Sequence, residues 1–437
     1  MPTRKGSAMT KHHAGDMTAD TTNVTPLDGN PTAAGPIEPL GPNPGQTEVV
    51  GTAGADTIKE GNGDFFVTGL AGDDKITVGN GVDTVYGGDG NDHITVGNGA
   101  DFIDAGAGNN TITVGTGSDT IVAADGNNTL LIGDWVHGSG VDSIFLGNGD
   151  NRITDYGNAA VNISVGDGDN SISLGGGNDT VTVTGVGNDY IQTGDGNDTI
   201  IGSNGSDQEL EGQGGDDTVN GMGGNDRIIF SASAGTNQVG DGMDRIDGGA
   251  GNDLLEVYGS ATGDHFTLSA LSNGHALLMQ DDGSVNNADL VSVEHIDFTT
   301  AGEDGVNSSG SDTITVGDMT GTDVNLVTID LAGPNLTSGD GKVDTINLIG
   351  NSSETVTVSL VHGQLVITGL AEKVTIAHFD ANDIVNIEGA GHVIDNVAAG
   401  QGPIVNTLPA EAAAQAAADA ATAAIAEHAN QVHHGLA

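Results

Sequence analysis

From Gly51 onward, apolar and polar positions along the chain obey one strict rule. Cut every nine residues, the sequence reads GTAGADTIK, EGNGDFFVT, GLAGDDKIT, VGNGVDTVY, GGDGNDHIT, VGNGADFID, AGAGNNTIT, VGTGSDTIV and AADGNNTLL, without a slip as far as Leu131. The fourth position is usually Gly, the sixth Asp or Asn, and the eighth Ile, Val or Leu. Nine residues are too few for a helical repeat and suit a turn followed by a short strand. Runs such as Ile76-Thr77-Val78 and Ile94-Thr95-Val96 alternate with period two, so the aliphatics share one face and Thr takes the other. Two units back to back make a coil of 18 residues: strand, turn, strand, turn. Stacked at the strand spacing, the array predicts a rod roughly 50 Å long, cored by the eighth-position aliphatics.

The register is interrupted but not lost. IGDWV (132–136) is inserted, single residues are added at Asp155, Val183 and Glu211, and a degenerate unit occupies 230–238. The last units, VGDGMDRID and GGAGNDLLE, end at Glu256, giving 21 recognisable units over 51–256. If every unit is half a coil, the sixth positions stack in two columns. One begins Asp56, Asp74, Asp92, Asn110, Asn128, and the other Phe65, Asp83, Asp101, Asp119. Further on, the same count predicts Asp179, Asp198 and Asp217 in one column, and Asp189, Asp207, Asp226 and Asp244 in the other.

The flanks read differently. Residues 1–50 hold seven of the ten prolines and no periodicity, which predicts a disordered leader. Residues 257–405 keep alternating strands such as VSVEHIDF, SDTITVGD and VNLVTIDL but lose the nonapeptide, as expected of a looser β-rich solenoid or capping domain. Residues 406–437 carry an Ala-rich tract that favours helix but has no stripe of large side chains to pack. The fold class is therefore all-β: a parallel β-roll or β-solenoid, a looser β-rich region, a disordered leader and a helical tail.

Composition changes the picture in two ways. Gly makes up 73 of 437 residues and aromatics only 3%, so the core must be thin and long. Sixty-one Asp and Glu face ten Lys and Arg, a formal net charge of −51. Such a surface excludes nucleic acid as a partner and disfavours anionic membranes. It also opposes compaction unless cations complete the fold. There is no Cys, which removes disulfides and thiolate metal sites. No apolar run is long enough for a membrane-spanning helix. The first twenty residues lack the apolar stretch of a Sec-type signal, so any export signal is expected elsewhere, the Ala-rich tail being the candidate.

The candidate chemistry lies in the sixth positions. Fifteen are Asp: Asp56, Asp74, Asp83, Asp92, Asp101, Asp119, Asp142, Asp179, Asp189, Asp198, Asp207, Asp217, Asp226, Asp244 and Asp253. Four are Asn (Asn110, Asn128, Asn151, Asn170), read as weak sites or Asn ladders, while Phe65 and Val161 break their columns. Carboxylates about 5 Å apart repel by roughly 1 kcal/mol even at high dielectric, and a column of them would push coils apart. A divalent cation between coils reverses the sign. Calcium takes 6–8 oxygen ligands and accepts backbone carbonyls, which a Gly-rich turn exposes, whereas all-oxygen ligation disfavours zinc, copper and iron.

Units such as GGDGNDHIT (87–95), LGGGNDTVT (174–182), TGDGNDTII (193–201) and GGAGNDLLE (248–256) follow the pattern G-G-x-G-x-D-x-U-x, with U aliphatic. The chain resembles the RTX, or haemolysin-type calcium-binding repeat, proteins of Gram-negative bacteria. The resemblance implies several bound Ca²⁺ ions held by the fifteen Asp and turn carbonyls, and type I export to the exterior or cell surface without a Sec signal. It also implies that a calcium-poor cytosol keeps the chain unfolded and external calcium folds it. No HExxH, GxxxxGK[ST], GxSxG or EF-hand loop occurs, so a non-enzymatic structural, matrix or surface role is expected. The competing readings are a secreted enzyme or toxin, such as a polysaccharide-processing one, and an adhesin. Self-assembly or a cell-surface polysaccharide are the partners to consider beside calcium. Trp135, in the IGDWV insertion, is expected to plug the side of the core.

Overall fold

The computed structural model describes residues 41–133, 140–231, 242–259, 263–280, 286–300, 310–332, 338–398 and 400–408. Residues 1–40 of the leader, Trp135 and residues 409–437 of the Ala-rich tail lie outside the described residues. The end of the leader is ordered, with Thr47–Val50 paired parallel to Phe65–Ala71, and residues 406–408 complete the strand Ile404–Leu408. Every regular element among those described is a strand, from Thr47–Val50 to Ile404–Leu408.

The short strands alternate between two sheets. Thr57–Lys59, Lys75–Thr77, His93–Thr95, Thr111–Val114 and Thr129–Ile132 build one, each parallel to the next and paired with the residue one coil on, as in Ile76 with Ile94 and Ile94 with Ile112. Phe65–Ala71, Thr84–Asp89, Phe102–Ala107 and Thr120–Ala123 build the other, with Val67, Val85, Ile103 and Ile121 in line. The sheets face each other through these aliphatics. Ile76, Ile94, Ile112, Val67, Val85, Ile103 and Ile121 are all fully buried. The eighth-position stripe is thus the core, in the β-roll arrangement that the periodicity predicts.

Glycine at the turns answers to the close approach of successive coils. A Cβ on Gly117 would stand 1.4 Å from the Gly99 carbonyl oxygen, the equivalent turn one coil earlier. At Gly88, φ is +112°, and a Cβ would meet the Leu70 carbonyl at 2.0 Å. Any side chain at either place forces the coils apart.

The insertions are absorbed without changing sides. Leu130 pairs with Ile153 across the IGDWV insertion, so strand order survives. One expectation fails at the degenerate unit. Val219 pairs with Ile246 and Ile228 with Leu255, 27 residues on in each case, so 230–238 is not half a coil. Phe230 and Ser231 belong to the strand Arg227–Ser231, and Asp244 follows Asp217 rather than Asp226.

Both sheets continue past the nonapeptides, each interrupted once by antiparallel pairs. In the first interruption, Asn286–Val291 runs parallel to Met243–Asp247, then pairs antiparallel with Ala276–Gln280, which pairs antiparallel with His265–Ala270. In the second, Lys373–Ala377 runs parallel to Leu326–Asp330, and Gln364–Thr368 and Thr355–Val361 follow antiparallel. Parallel pairing then resumes in each sheet, to Thr313–Val316 and to His392–Asp395. Larger side chains fill this end, with Phe266 and Phe298 packed at 5.6 Å between ring centroids.

Candidate metal centre

The sixth-position residue stands just before each short strand, where its carboxyl group reaches the preceding coil. Oδ1 accepts the N–H of the sixth residue one coil earlier. On one edge Asp74 accepts from Asp56 at 2.7 Å and Asp92 from Asp74 at 2.9 Å. On the other, Asp101 accepts from Asp83 at 2.8 Å, Asp119 from Asp101 at 2.9 Å and Asp142 from Asp119 at 2.7 Å. Further on, Asp198, Asp217 and Asp244 accept from Asp179, Asp198 and Asp217. Asp207, Asp226 and Asp253 accept from Asp189, Asp207 and Asp226. The four-Asp runs are therefore Asp83 to Asp142, Asp179 to Asp244 and Asp189 to Asp253, correcting the column that the nine-residue count assigns to Asp244.

The second carboxyl oxygen carries the chemistry. Oδ2 of Asp74, Asp83, Asp92, Asp101, Asp119, Asp179, Asp189, Asp198, Asp217, Asp226 and Asp253 is buried and accepts no hydrogen bond. Where a unit opens with Gly, this oxygen packs over that residue. A Cβ would lie 2.2 Å from Asp74 Oδ2 at Gly69 and 2.4 Å from Asp92 Oδ2 at Gly87. Burial, with the neighbouring carboxylates adding to it, pushes Asp101, Asp119, Asp217 and Asp226 up to about 7 and Asp179 to about 8. An orphaned, buried anionic oxygen is costly unless a proton or a cation meets it. Among the described residues, no three His, Asp or Glu side chains are arranged to hold a metal by themselves. A cation here would share one or two carboxylates with turn carbonyls, a donor set that suits a hard ion.

The other four predicted residues stand differently. Asp207 has both oxygens occupied: Ser203 donates its N–H to Oδ2 at 3.0 Å and its hydroxyl to Oδ1 at 2.9 Å. Asp56, in the first coil, is partly exposed, and its Oδ2 accepts from Thr52. Asp142 is buried and burial pushes it up to about 6, whereas Asp244 is half-buried. At the two apolar sixth positions, Phe65 and Val161 still donate their N–H groups, to Asp83 and Asp179.

The four Asn form a self-sufficient ladder. Asn110, Asn128 and Asn151 each donate Nδ2–H to Oδ1 of the next Asn at 3.1–3.2 Å, and Asn170 donates to Asp189 at 2.8 Å. Each also donates to the Gly carbonyl two residues earlier: Gly108, Gly126, Gly149 and Gly168, at 2.9–3.1 Å. The amide supplies from within the chain the positive partner that the carboxylates lack.

The acidic columns also reach beyond the predicted fifteen. Asp312 accepts from Asp264, Asp344 from Asp312 and Asp383 from Asp344, at 2.8–3.0 Å. Burial pushes Asp312 up to about 8. The signal was present as D-x-U without its glycines: Phe266, Ile314, Ile346 and Val385, two residues after each Asp, are core residues. On the other edge the pairing of Leu254, His295, Leu326 and Lys373 places Asp253, Glu294, Asn325 and Glu372 in line. Glu294 takes up the ladder by accepting the Asp253 N–H at 2.7 Å.

The family model of the RTX calcium-binding nonapeptide repeat (4 copies) matches residues 61–94, 95–130, 162–182, 183–209, 208–234 and 238–260. Residues 61–260 are an RTX repeat array. No curated protein matches the chain. The RTX repeats are of a calcium-binding type, so calcium is the ion that their orphaned carboxyl oxygens suit. Nothing in the repeat is itself catalytic. The gaps between matched stretches include the IGDWV insertion, and the last stretch ends before the first antiparallel strands begin at His265.

Proposed function

We propose that this protein is a secreted, non-enzymatic calcium-binding β-solenoid that folds when calcium is supplied and serves as a structural component of an extracellular matrix or cell surface. The observation that carries the reading is the stacking of eleven buried carboxyl oxygens without partners along the two edges of one rod. The predicted Asp, Asp74 to Asp253 foremost, would hold the ions with turn carbonyls of adjacent coils. Bound calcium supplies the positive charge that the edges lack. The chain's own residues do the rest: glycines let coils approach, Oδ1 fixes their spacing, and Oδ2 presents charge to the gap.

Because the ions bind the wound chain and not the unwound one, ligand-linked folding follows. A net charge of −51 favours the unwound form without them. RTX repeat proteins are typically secreted by Gram-negative bacteria, which supports an exterior location. The test is circular dichroism of the full chain in EDTA and in calcium, with light scattering recorded alongside. Calcium is expected to convert a largely unordered spectrum to β-structure cooperatively. Identical spectra under both conditions would sink the reading, and scattering reports whether folded rods associate.

A further inference from the structure

We propose a divalent-cation site outside the RTX array, centred on Glu372, where one sheet changes from parallel to antiparallel pairing. Glu372 precedes Lys373–Ala377, the last strand of its sheet before the antiparallel pair Gln364–Thr368 and Thr355–Val361. It is 2% exposed, yet neither carboxyl oxygen accepts a hydrogen bond. The Met319 and Glu372 amides lie near enough to influence it but make no hydrogen bond of ordinary geometry with it. No other described carboxylate has both oxygens buried and unpartnered.

Its charged neighbours are also acidic. Asp318 and Glu354 both act on Glu372 through space. Asp318 and Glu354 sit in the turns of two successive coils, joined by Asn351. The Asn351 side chain donates to Asp318 at 3.2 Å, and its N–H donates to Glu354 at 2.8 Å. Turns 317–320, 350–354 and 369–372 come together here, but among the described residues no three acidic side chains are placed to chelate one ion. The buried, unpartnered Glu372 would therefore hold the ion with turn carbonyls, while Asp318 and Glu354 add negative field. Replacing buried anionic repulsion with a shared ion is the same solution that the array uses, reached here without a G-G-x-G-x-D turn. Oxygen-only donors, one capable of bidentate binding, select calcium over softer metals. The ion would pin the antiparallel pair to the end of the parallel stack.

The inference goes beyond the proposed function and fails separately from it. Crystals of the full chain grown in calcium and soaked with terbium would be read by anomalous difference maps, for wild type and Glu372→Gln. The expected result is a peak within about 2.3–2.6 Å of Glu372 oxygens in wild type, absent in the variant, with array peaks unchanged. Equilibrium dialysis against calcium should then show one ion fewer per chain in the variant. Array peaks with no density at Glu372 in wild type would overturn the site alone. Density persisting in the variant would overturn the role of Glu372. Empty maps throughout would overturn both this site and the calcium reading of the array. The wild-type map needs no substitution, so a poorly folding variant leaves the proposal testable.

Discussion

Over residues 101–151 the sixth positions on the two edges of the rod are carried by the same coils and turns, yet they differ by one atom type. One edge carries Asp101, Asp119 and Asp142, and the other Asn110, Asn128 and Asn151. Both use Oδ1 to accept an N–H from the previous coil. On the Asp edge, Oδ2 of Asp101 and Asp119 is stranded. On the Asn edge, Nδ2 takes that place and donates both to a Gly carbonyl and to the next Asn. Exchanging an acceptor for a donor thus decides whether a half-coil needs an ion from outside. The Asn edge carries its own counter-donors, whereas the buried Oδ2 atoms of the Asp edge call for a proton or a cation from outside.

The largest break in this comparison comes from converting the ladder. Asn128→Asp with Asn151→Asp strips the Nδ2 donors from two successive coils and adds two buried negative charges. In EDTA the pair should cost several kcal/mol, taking about 1–3 kcal/mol for each buried group left unpaired. Much of that should return in calcium, as read by urea unfolding under both conditions.

Acid offers a second route. With folded-state values of about 7 for Asp101 and Asp119 against 3.8 in the open chain, the native form binds protons that the unfolded form releases between about pH 4 and 7. In EDTA, this contribution to stability should therefore be full below about pH 4 and be lost as pH rises to about 7. Lowering the pH should restore β-structure that calcium removal abolished, and circular dichroism in EDTA at pH 5 and 7.5 checks it. The Asn edge contributes nothing to this slope because its amides do not titrate.

Gly117→Ala separates coil packing from ion binding. Its Cβ would collide with the Gly99 backbone whatever occupies the turn. A loss of about 1–3 kcal/mol is expected with and without calcium, by thermal melts. A loss confined to one condition would show that the turn itself changes on binding.

The mildest change is Asp119→Asn, which extends the Asn chemistry to the other edge. It should raise stability in EDTA by about 1 kcal/mol while lowering calcium uptake, the two effects having opposite signs. A drop in both would mean that Asp119 serves the fold rather than an ion.

Much of this was legible before any coordinates. The nine-residue period with Ile94 and its equivalents at position eight dictated a two-strand coil and its core, because a short turn-strand unit buries an aliphatic only by stacking. The stacked sixth positions followed from the same arithmetic up to the degenerate unit. There the count fails, since periodicity cannot tell half a coil from nine inserted residues, and Asp244 falls in the other column. The carboxylates at Asp264, Asp312, Asp344 and Asp383 kept D-x-U but lost the even spacing, so they did not register as a column. Glu372 kept only the acid-x-aliphatic step to the buried Val374, with Glu in place of Asp and no regular spacing.

The sequence alone determined the repeat, the thin aliphatic core and the surplus of negative charge, all properties of neighbours along the chain. Only the tertiary structure decided which oxygen of each Asp is satisfied, that Asn carries its own counter-donor, and that turns 317–320, 350–354 and 369–372 meet at Glu372. Those facts depend on atoms brought together by stacking from coils that are far apart in sequence, and no local pattern records them.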